Sequence, residues 1–344
     1  MSENHAVVIH SKEDVRVECR SEPLPSAGQV QVQIERGGIC GSDLSYYQKG
    51  GVGNFTVNHP MVLGHEVVGV VTKVGSGVDA GLEGTQVAVD PSTPCLGCDR
   101  CKEGRFNVCE QPNFLGSAST NPHVDGGFAR LLVTKSENAV AYNKRFQASD
   151  IVFAEPLAVN VHAIRRAGGV DGKRVLIVGA GPIGSILAGA VMKLGADHVV
   201  VTDLDQARLD RVASMGVHET VKVPDESPGA NFDVVFEASG SAPGISAGLD
   251  ATRKAGSMVM VGLPHGGPIQ IPLGLTVTKE VNVLGSFRFN HAEFTEAVDL
   301  LSDGLDLSPL LTDTFDSHDA PTAFVEACKA TSMKVQLDFG AVDG

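Results

Sequence analysis

The sequence predicts an α/β protein in which a doubly wound parallel sheet is joined to a second, mainly β domain. Three observations carry this. Between Arg174 and Asp203 a β-type apolar run, Val175–Val178, enters Gly179-Ala180-Gly181-Pro182-Ile183-Gly184; a helix-length apolar segment then reaches about Leu194, and a second β-run, Val199–Thr202, follows. From Ala148 onward, helical and β patterns alternate, as parallel sheets with helical crossovers require. Before that point the chain reads as β-runs punctuated by Gly and Pro.

Taken in order, Gln29–Ile34 (QVQVQI) alternates strictly, as a half-buried strand does, and Glu66–Val74 and Gln86–Val89 are further β-rich runs. Parallel strands are then expected at Val175–Val178, Val199–Thr202, Thr220–Val223, Phe232–Glu237, Ser257–Val261 and Val281–Gly285. Two helical stretches, His291–Ser302 and Asp319–Ala330, precede a last β-run, Lys334–Phe339. These last pieces have no place in a six-stranded nucleotide fold, so they are expected to return to the first domain. The expected domains are 1–148 completed by 288–344, and 149–287.

The glycine turn has a physical purpose. Gly179, Gly181 and Gly184 let the backbone bend and approach a pyrophosphate, while the following helix offers free N–H groups and a partial positive charge. Asp203 closes the second strand, where a carboxylate can bind the ribose hydroxyls of NAD. A membrane span is the alternative for Val175–Met192, which carries no charge. Gly179, Gly181, Pro182, Gly184 and Gly189 make it a poor continuous helix.

A formal net charge of −14 argues against nucleic acid and anionic membranes as partners. The first residues lack the apolar core of a signal peptide, so the cytoplasm is the expected location. In that compartment, seven cysteines suggest metal or catalysis before disulfides.

Cys40 and His65 supply a thiolate and an imidazole, a pair suited to zinc. Asp43 is placed to hold the other imidazole nitrogen of His65. Glu66, next to His65, is a candidate third ligand; Glu155, in Phe153-Ala154-Glu155-Pro156, is either a ligand or a water-bridged neighbour. Cys95, Cys98, Cys101 and Cys109 have the spacing C-x2-C-x2-C-x7-C. Four thiolates close a tetrahedral shell, which reads as a structural zinc site, with an iron–sulfur cluster as the alternative.

Together these motifs resemble the zinc-dependent medium-chain dehydrogenases. The run G-H-E-x2-G-x5-G-x2-V, Gly64 to Val78, matches that family's zinc signature, and the similarity extends over the whole chain. Glu66 and Glu155, with the strings RGGICGSDL, PMVLGHEV, PHVDGGF, FAEPLAV and GSFRF, resemble its polyol dehydrogenase branch. The resemblance implies a GroES-like catalytic domain beside a Rossmann domain, NAD, and one catalytic and one structural zinc. It also implies a small polyol or sugar-acid substrate and a homodimer or homotetramer; the sequence itself offers the Pro- and Gly-rich loop 263–271 and Val281–Gly285 as candidates for a subunit contact.

Residue by residue, the family implies catalytic zinc on Cys40 and His65, with Glu66 and Glu155 as ligands or water-bridged partners. Ser42 matches the hydroxyl that takes the substrate proton. Tyr46, Arg288 and Phe289 match positions lining the substrate pocket. Ile183, Asp203, Arg208, Val261, Gly262, Leu263, Ser286, Phe287 and Arg288 match cofactor contacts. One departure concerns the proton relay: Ser45 stands where the family often has His, so either water and the ribose hydroxyls carry the proton or another His helps, His59 being nearby in sequence. A non-catalytic relative would show a broken set, whereas Cys40, Ser42, Asp43, His65, Glu66 and Glu155 are all present.

Overall fold

The structure, a computed structural model, describes residues 4–111, 113–264 and 268–341. Part of the loop 263–271, residues 265–267, lies outside the described residues. Two compact units emerge. The first takes the described residues through Glu155, Asn290–Asp303 and those from Leu311 onward; the second takes Pro156–Phe289 and Gly304–Leu310.

The first unit is built on a sheet in the order Ala139–Ala141, Gln86–Val89, Glu66–Val74, Gln29–Gly38, Lys334–Asp338 and Leu311–Asp316, with Leu131–Lys135 also pairing with Gln29–Gly38. The C-terminal strand Lys334–Asp338 runs antiparallel to Gln29–Gly38, bringing Gln336 opposite Gly38. On the other side of the same strand, Gly38 pairs with Glu66. The alternation in Gln29–Ile34 buries Val30, Val32 and Ile34 in the core, as expected. Gln31 is buried as well: its Nε2 donates to the Pro23 carbonyl at 2.7 Å and its Oε1 accepts from Thr72 Oγ1 at 2.8 Å. A buried amide is tolerated when its polar atoms are paired. The β-pattern reading missed the hairpin Asn4–Ser11 with Asp14–Arg20, because the second strand is mostly charged and polar.

The second unit holds a six-stranded sheet ordered Glu219–Lys222, His198–Asp203, Arg174–Val178, Phe232–Glu237, Thr252–Met260 and Asn282–Gly285. All five pairings are parallel. In chain order this is 3-2-1-4-5-6, the doubly wound arrangement, with its switch point beside Arg174–Val178. The fifth strand begins earlier than the sequence suggests. Thr252 pairs with Phe232, the ladder then breaks, and regular pairing resumes at Ser257. The polar Arg253-Lys254-Ala255 excursion, with Ala255 at φ 55°, gives no β pattern to read. Among the described residues no helix is long and apolar enough to cross a membrane.

Candidate active site

Cys40 ends the turn after Gln29–Gly38 and forms the N-cap of the helix Gly41–Lys49. Its backbone N–H donates to Asp43 Oδ2 at 3.0 Å. Asp43 Oδ1 accepts from the Gly64 N–H at 3.3 Å, which fastens the helix start to the turn carrying His65. Gly64 has φ 91°, and a Cβ there would lie 2.1 Å from the Phe128 ring, so only glycine lets His65 reach this position. Asp43 Oδ1 also faces His65 Nδ1 at 3.9 Å, an ion-pair separation longer than a hydrogen bond.

Ligand atoms of Cys40, His65 and Glu66 all lie within 4.8 Å of one another. His65 and Glu66 are buried, and Cys40 is half-buried. Thiolate, imidazole and carboxylate at this spacing fit a zinc ion with a position left open for a substrate oxygen. Glu155 is buried at the first turn of Ala154–Arg166 and does not join this three-residue cluster. Burial pushes its carboxyl up to about 8, and the nearby charges of Glu66 and Cys40 add to the rise while His65 opposes it. Burial, then Glu66, pushes the Cys40 thiol up to about 12. Burial also raises Asp43. A dication offsets such an accumulation of negative charge, and its ligands bind deprotonated.

Lys334 was not singled out from sequence. It is 4 % exposed, and its Nζ donates to Glu66 Oε1 at 2.8 Å and Oε2 at 2.6 Å. Burial pulls its ammonium down, but Glu66, Cys40 and Glu155 outweigh that and hold it above its ordinary value. A lysine at the start of a strand that alternates polar with apolar residues carries no local signal; only the sheet order brings it to Glu66.

The proposed substrate positions are placed as follows. Ser42 is half-buried in the first turn of Gly41–Lys49, and its N–H donates to the Cys40 sulfur. Tyr46 packs into the core of the first unit, where its hydroxyl accepts from the Ala118 N–H at 3.0 Å. This gives Tyr46 a core role in addition to any pocket role. Phe289 is 1 % exposed. Arg288 has φ 52°, an uncommon backbone conformation for arginine, and its guanidinium lies 5.1 Å from the Phe287 ring. Ser45 is half-buried on the same helix as Ser42. His59 is half-buried. It stacks on His123 with ring centroids 3.9 Å apart, and its Nε2 accepts from the His123 N–H at 3.1 Å.

The four-cysteine site fits its reading. Cys95 and Cys101 sulfurs lie 4.0 Å apart, as do those of Cys98 and Cys109. A tetrahedron with Zn–S of about 2.3 Å has edges of about 3.8 Å. Backbone N–H groups point at the sulfurs: Gly97 and Cys98 to Cys95 at 3.4 Å, and Cys95 to Cys109 at 3.3 Å. Backbone N–H groups of Glu110 and Cys101 bring the Cys98 thiol down to about 6.

In the second unit, Gly181 caps the helix Pro182–Lys193, with Pro182 at its first turn and Ile183 and Gly184 following. Around Gly181 nothing lies within 4 Å of a would-be Cβ, which leaves a backbone-lined space for a phosphate. Asp203 Oδ2 accepts from the Ala180 N–H at 2.6 Å and Oδ1 from the Asp205 N–H at 2.9 Å, so its second lone pairs remain for ribose hydroxyls. Arg208 is half-buried in Gln206–Ser214. Val261 and Gly262 donate their N–H groups to the Glu237 carbonyl at 2.9 and 2.8 Å, Leu263 is exposed, and the Ser286 N–H donates to Met260 at 3.0 Å. Sequence reading also missed Glu237. Its buried carboxylate accepts from Ser239 N–H at 2.9 Å and Gly240 N–H at 3.0 Å, ordering the loop that packs against Gly179.

Comparison with known proteins agrees with this geometry. Residues 26–144 match the family model of the alcohol dehydrogenase GroES-like domain, and residues 182–303 match that of the zinc-binding dehydrogenases. The chain is 42% identical over 316 residues to an L-idonate 5-dehydrogenase (NAD(P)(+)) of Escherichia coli K12, covering 90% of this chain and 91% of that protein. It is 35% identical to the sorbitol dehydrogenase of Bos taurus, over 97% of this chain and 96% of that one. Its fold matches the crystal structure of L-idonate 5-dehydrogenase from Escherichia coli K-12 MG1655 with a TM-score of 0.92 and 39% identity, covering 98% and 99% of the two chains. The chain therefore belongs to the zinc-binding medium-chain dehydrogenases, polyol dehydrogenase branch, and is a zinc- and NAD(P)-dependent alcohol dehydrogenase.

Proposed function

We propose that this enzyme oxidises L-idonate to 5-keto-D-gluconate with NAD. The similarity to the Escherichia coli L-idonate 5-dehydrogenase over nearly the whole chain, at 42% identity, carries the substrate choice. The cluster Cys40, His65 and Glu66 carries the chemistry. When bound there, zinc supplies a Lewis acid for the alcohol oxygen, and NAD accepts the hydride. The Ser42 hydroxyl would accept the alcohol proton while passing its own on to the ribose hydroxyls and water, so the carbinol loses one proton to solvent and one hydride to NAD and becomes a ketone. The Cys40 thiolate, the His65 imidazole and Glu66 would hold the metal, with Glu155 as a nearby carboxylate. Asp43 keeps the Cys40 and His65 turns together. The Cys95, Cys98, Cys101 and Cys109 shell holds the structural zinc.

Asp203 favours NAD over NADP, since a 2′-phosphate would face its carboxylate. Arg288 is assigned to the substrate carboxylate, because guanidinium pairs with carboxylates through two hydrogen bonds. The test is kcat/KM with NAD for L-idonate beside sorbitol, xylitol and L-threonine. L-Idonate should lead by about a hundredfold, roughly 2.7 kcal/mol. A leading neutral polyol moves the enzyme to the second reading, a polyol dehydrogenase, which the sorbitol dehydrogenase similarity supports. In Arg288→Ala, KM should rise for L-idonate more than for sorbitol; an equal rise removes the carboxylate assignment.

We assign Pro156–Phe289 with Gly304–Leu310 to the cofactor domain, in place of the expected 149–287, and expect a cytoplasmic homodimer, where cysteine thiols stay reduced for zinc. Among the described residues the edge strand Asn282–Gly285 pairs on one side only, and Leu273, Val277 and Val283 beside it are 63%, 75% and 41% exposed. Such an edge invites pairing with a second copy. Val283→Lys should shift the mass in light scattering from dimer to monomer; an unchanged mass puts the contact elsewhere.

A further inference from the structure

The proposal here rests on the metal reading of the Cys40, His65 and Glu66 cluster. Both oxygens of Glu66 are within hydrogen-bond distance of one ammonium, Lys334 Nζ, which also donates to the Ile39 carbonyl at 3.4 Å. The meeting is engineered by the strand between them. Gly38 pairs with Glu66 on one side and with Gln336 on the other, and a Cβ on Gly38 would lie 2.2 Å from Glu66 Oε2. The missing side chain therefore leaves the room that the carboxylate occupies beside Lys334. Burying an ammonium is costly, and an apolar residue of similar volume would serve packing as well or better. A lysine aimed at a metal-ligand candidate therefore calls for a chemical explanation.

We propose that Lys334 is a positioning residue that competes with the metal for Glu66, keeping the third ligand of the catalytic zinc loosely held. Cys40 and His65 are fixed by backbone turns and give the metal two full ligands. The third ligand is shared. An ammonium within bonding distance draws carboxylate charge away from the metal, and its own positive charge repels the dication. Both effects lower the affinity for the metal. Both also leave the metal more electron-poor, and so a stronger Lewis acid toward an incoming alcohol oxygen. Lys334 thus exchanges tight metal holding for reactivity.

The experiment compares wild type with Lys334→Met, Lys334→Gln and Lys334→Arg, each alone and with Glu66→Gln. Zinc is titrated against a chelator of known affinity, and the cobalt-substituted proteins are examined by visible spectroscopy. Lys334→Met and Lys334→Gln should hold the catalytic metal at least about tenfold more tightly, change the intensity of the cobalt d–d bands, and lower kcat while leaving NADH affinity unchanged. Lys334→Arg should restore the wild-type values. In the Glu66→Gln background the effect of Lys334→Met on metal affinity should shrink to that of the lost charge alone, with no change in the bands. Should Lys334→Met fail to fold, Lys334→Gln, which keeps a donor and similar volume, decides the matter. Wild-type metal affinity and bands in that variant, with only a lower Tm, overturn the proposal and leave a structural ion pair. Absence of any metal on Cys40 and His65 in the wild-type protein overturns the metal reading itself, a distinct result.

Discussion

Two glycines of the same turn should fail for opposite reasons when replaced by alanine. At Gly184 a Cβ would lie 1.9 Å from the Gly179 carbonyl oxygen and 3.4 Å from Ile177 Cγ2. Ordinary contact needs more than an ångström of additional separation, so helix and strand must move apart. Overpacking of this kind costs about 1–3 kcal/mol. At roughly 2–4 °C per kcal/mol, Tm should fall by several degrees. At Gly181 the outcome differs. Its φ is −69°, which alanine adopts freely, and no atom lies within 4 Å of the new Cβ. Alanine there should leave Tm unchanged or raise it, since the unfolded chain loses about 0.4–1 kcal/mol of freedom. Its methyl group would instead stand in the space left for the pyrophosphate, weakening NADH by about tenfold or more, about 1.4 kcal/mol. Differential scanning calorimetry and NADH fluorescence titration separate the two variants. Gly181→Ala with lowered Tm and normal NADH affinity would falsify the assignment of that space to the cofactor.

Three further outcomes follow from the geometry. Cys101→Ser should drop metal content from about two zinc ions per chain to about one and lower Tm, while the catalytic metal stays bound; loss of both metals would mean the sites are coupled. His291 donates to the buried Asp90 carboxylate at 2.8 Å, and that hydrogen bond raises its pKa despite partial burial. A raised imidazole stabilises the fold fully below the unfolded value of about 6.5 and loses that contribution as pH rises through the folded value. Hence His291→Gln should lower Tm at pH 6 more than at pH 9, and a pH-independent loss would show that the charge contributes nothing. Replacing Asp203 by Ala should narrow the preference for NAD over NADP in kcat/KM; an unchanged ratio would place the discrimination elsewhere.

The second unit was legible because its signals are local. Phe232–Glu237 and the helix following Gly181 were set by apolar runs and by glycine, and the structure keeps both within a residue or so. The metal ligands were legible for the same reason, since Cys40, His65 and Glu66 sit within short strings that constrain backbone as well as chemistry. What escaped depended on contacts far apart in sequence. Lys334 meets Glu66 only because the last strand enters the first sheet, and no composition or periodicity near Lys334 announces it. Glu237 escaped because it occupies a strand end, where a carboxylate usually faces water; here it is buried and satisfied by the loop amides after it. Asp43 likewise has a role that sequence did not announce: its two oxygens accept the Cys40 and Gly64 N–H groups and tie the two turns together.

The placement of Lys334–Asp338 between two strands of the first sheet also governs how the molecule is made. Domains usually fold from the N-terminus as they leave the ribosome. Here Glu66 and its counter-charge are separated by 268 residues, and the gap beside Gln29–Gly38 is filled only by the chain's last strand. Until Lys334–Asp338 has been made, the N-terminal sheet carries an open seam and a carboxylate without its ammonium. The nucleotide-binding unit, Pro156–Phe289 with Gly304–Leu310, is made in full before Lys334. Its maturation can run ahead, so the part of the enzyme that is translated first is the part that closes last.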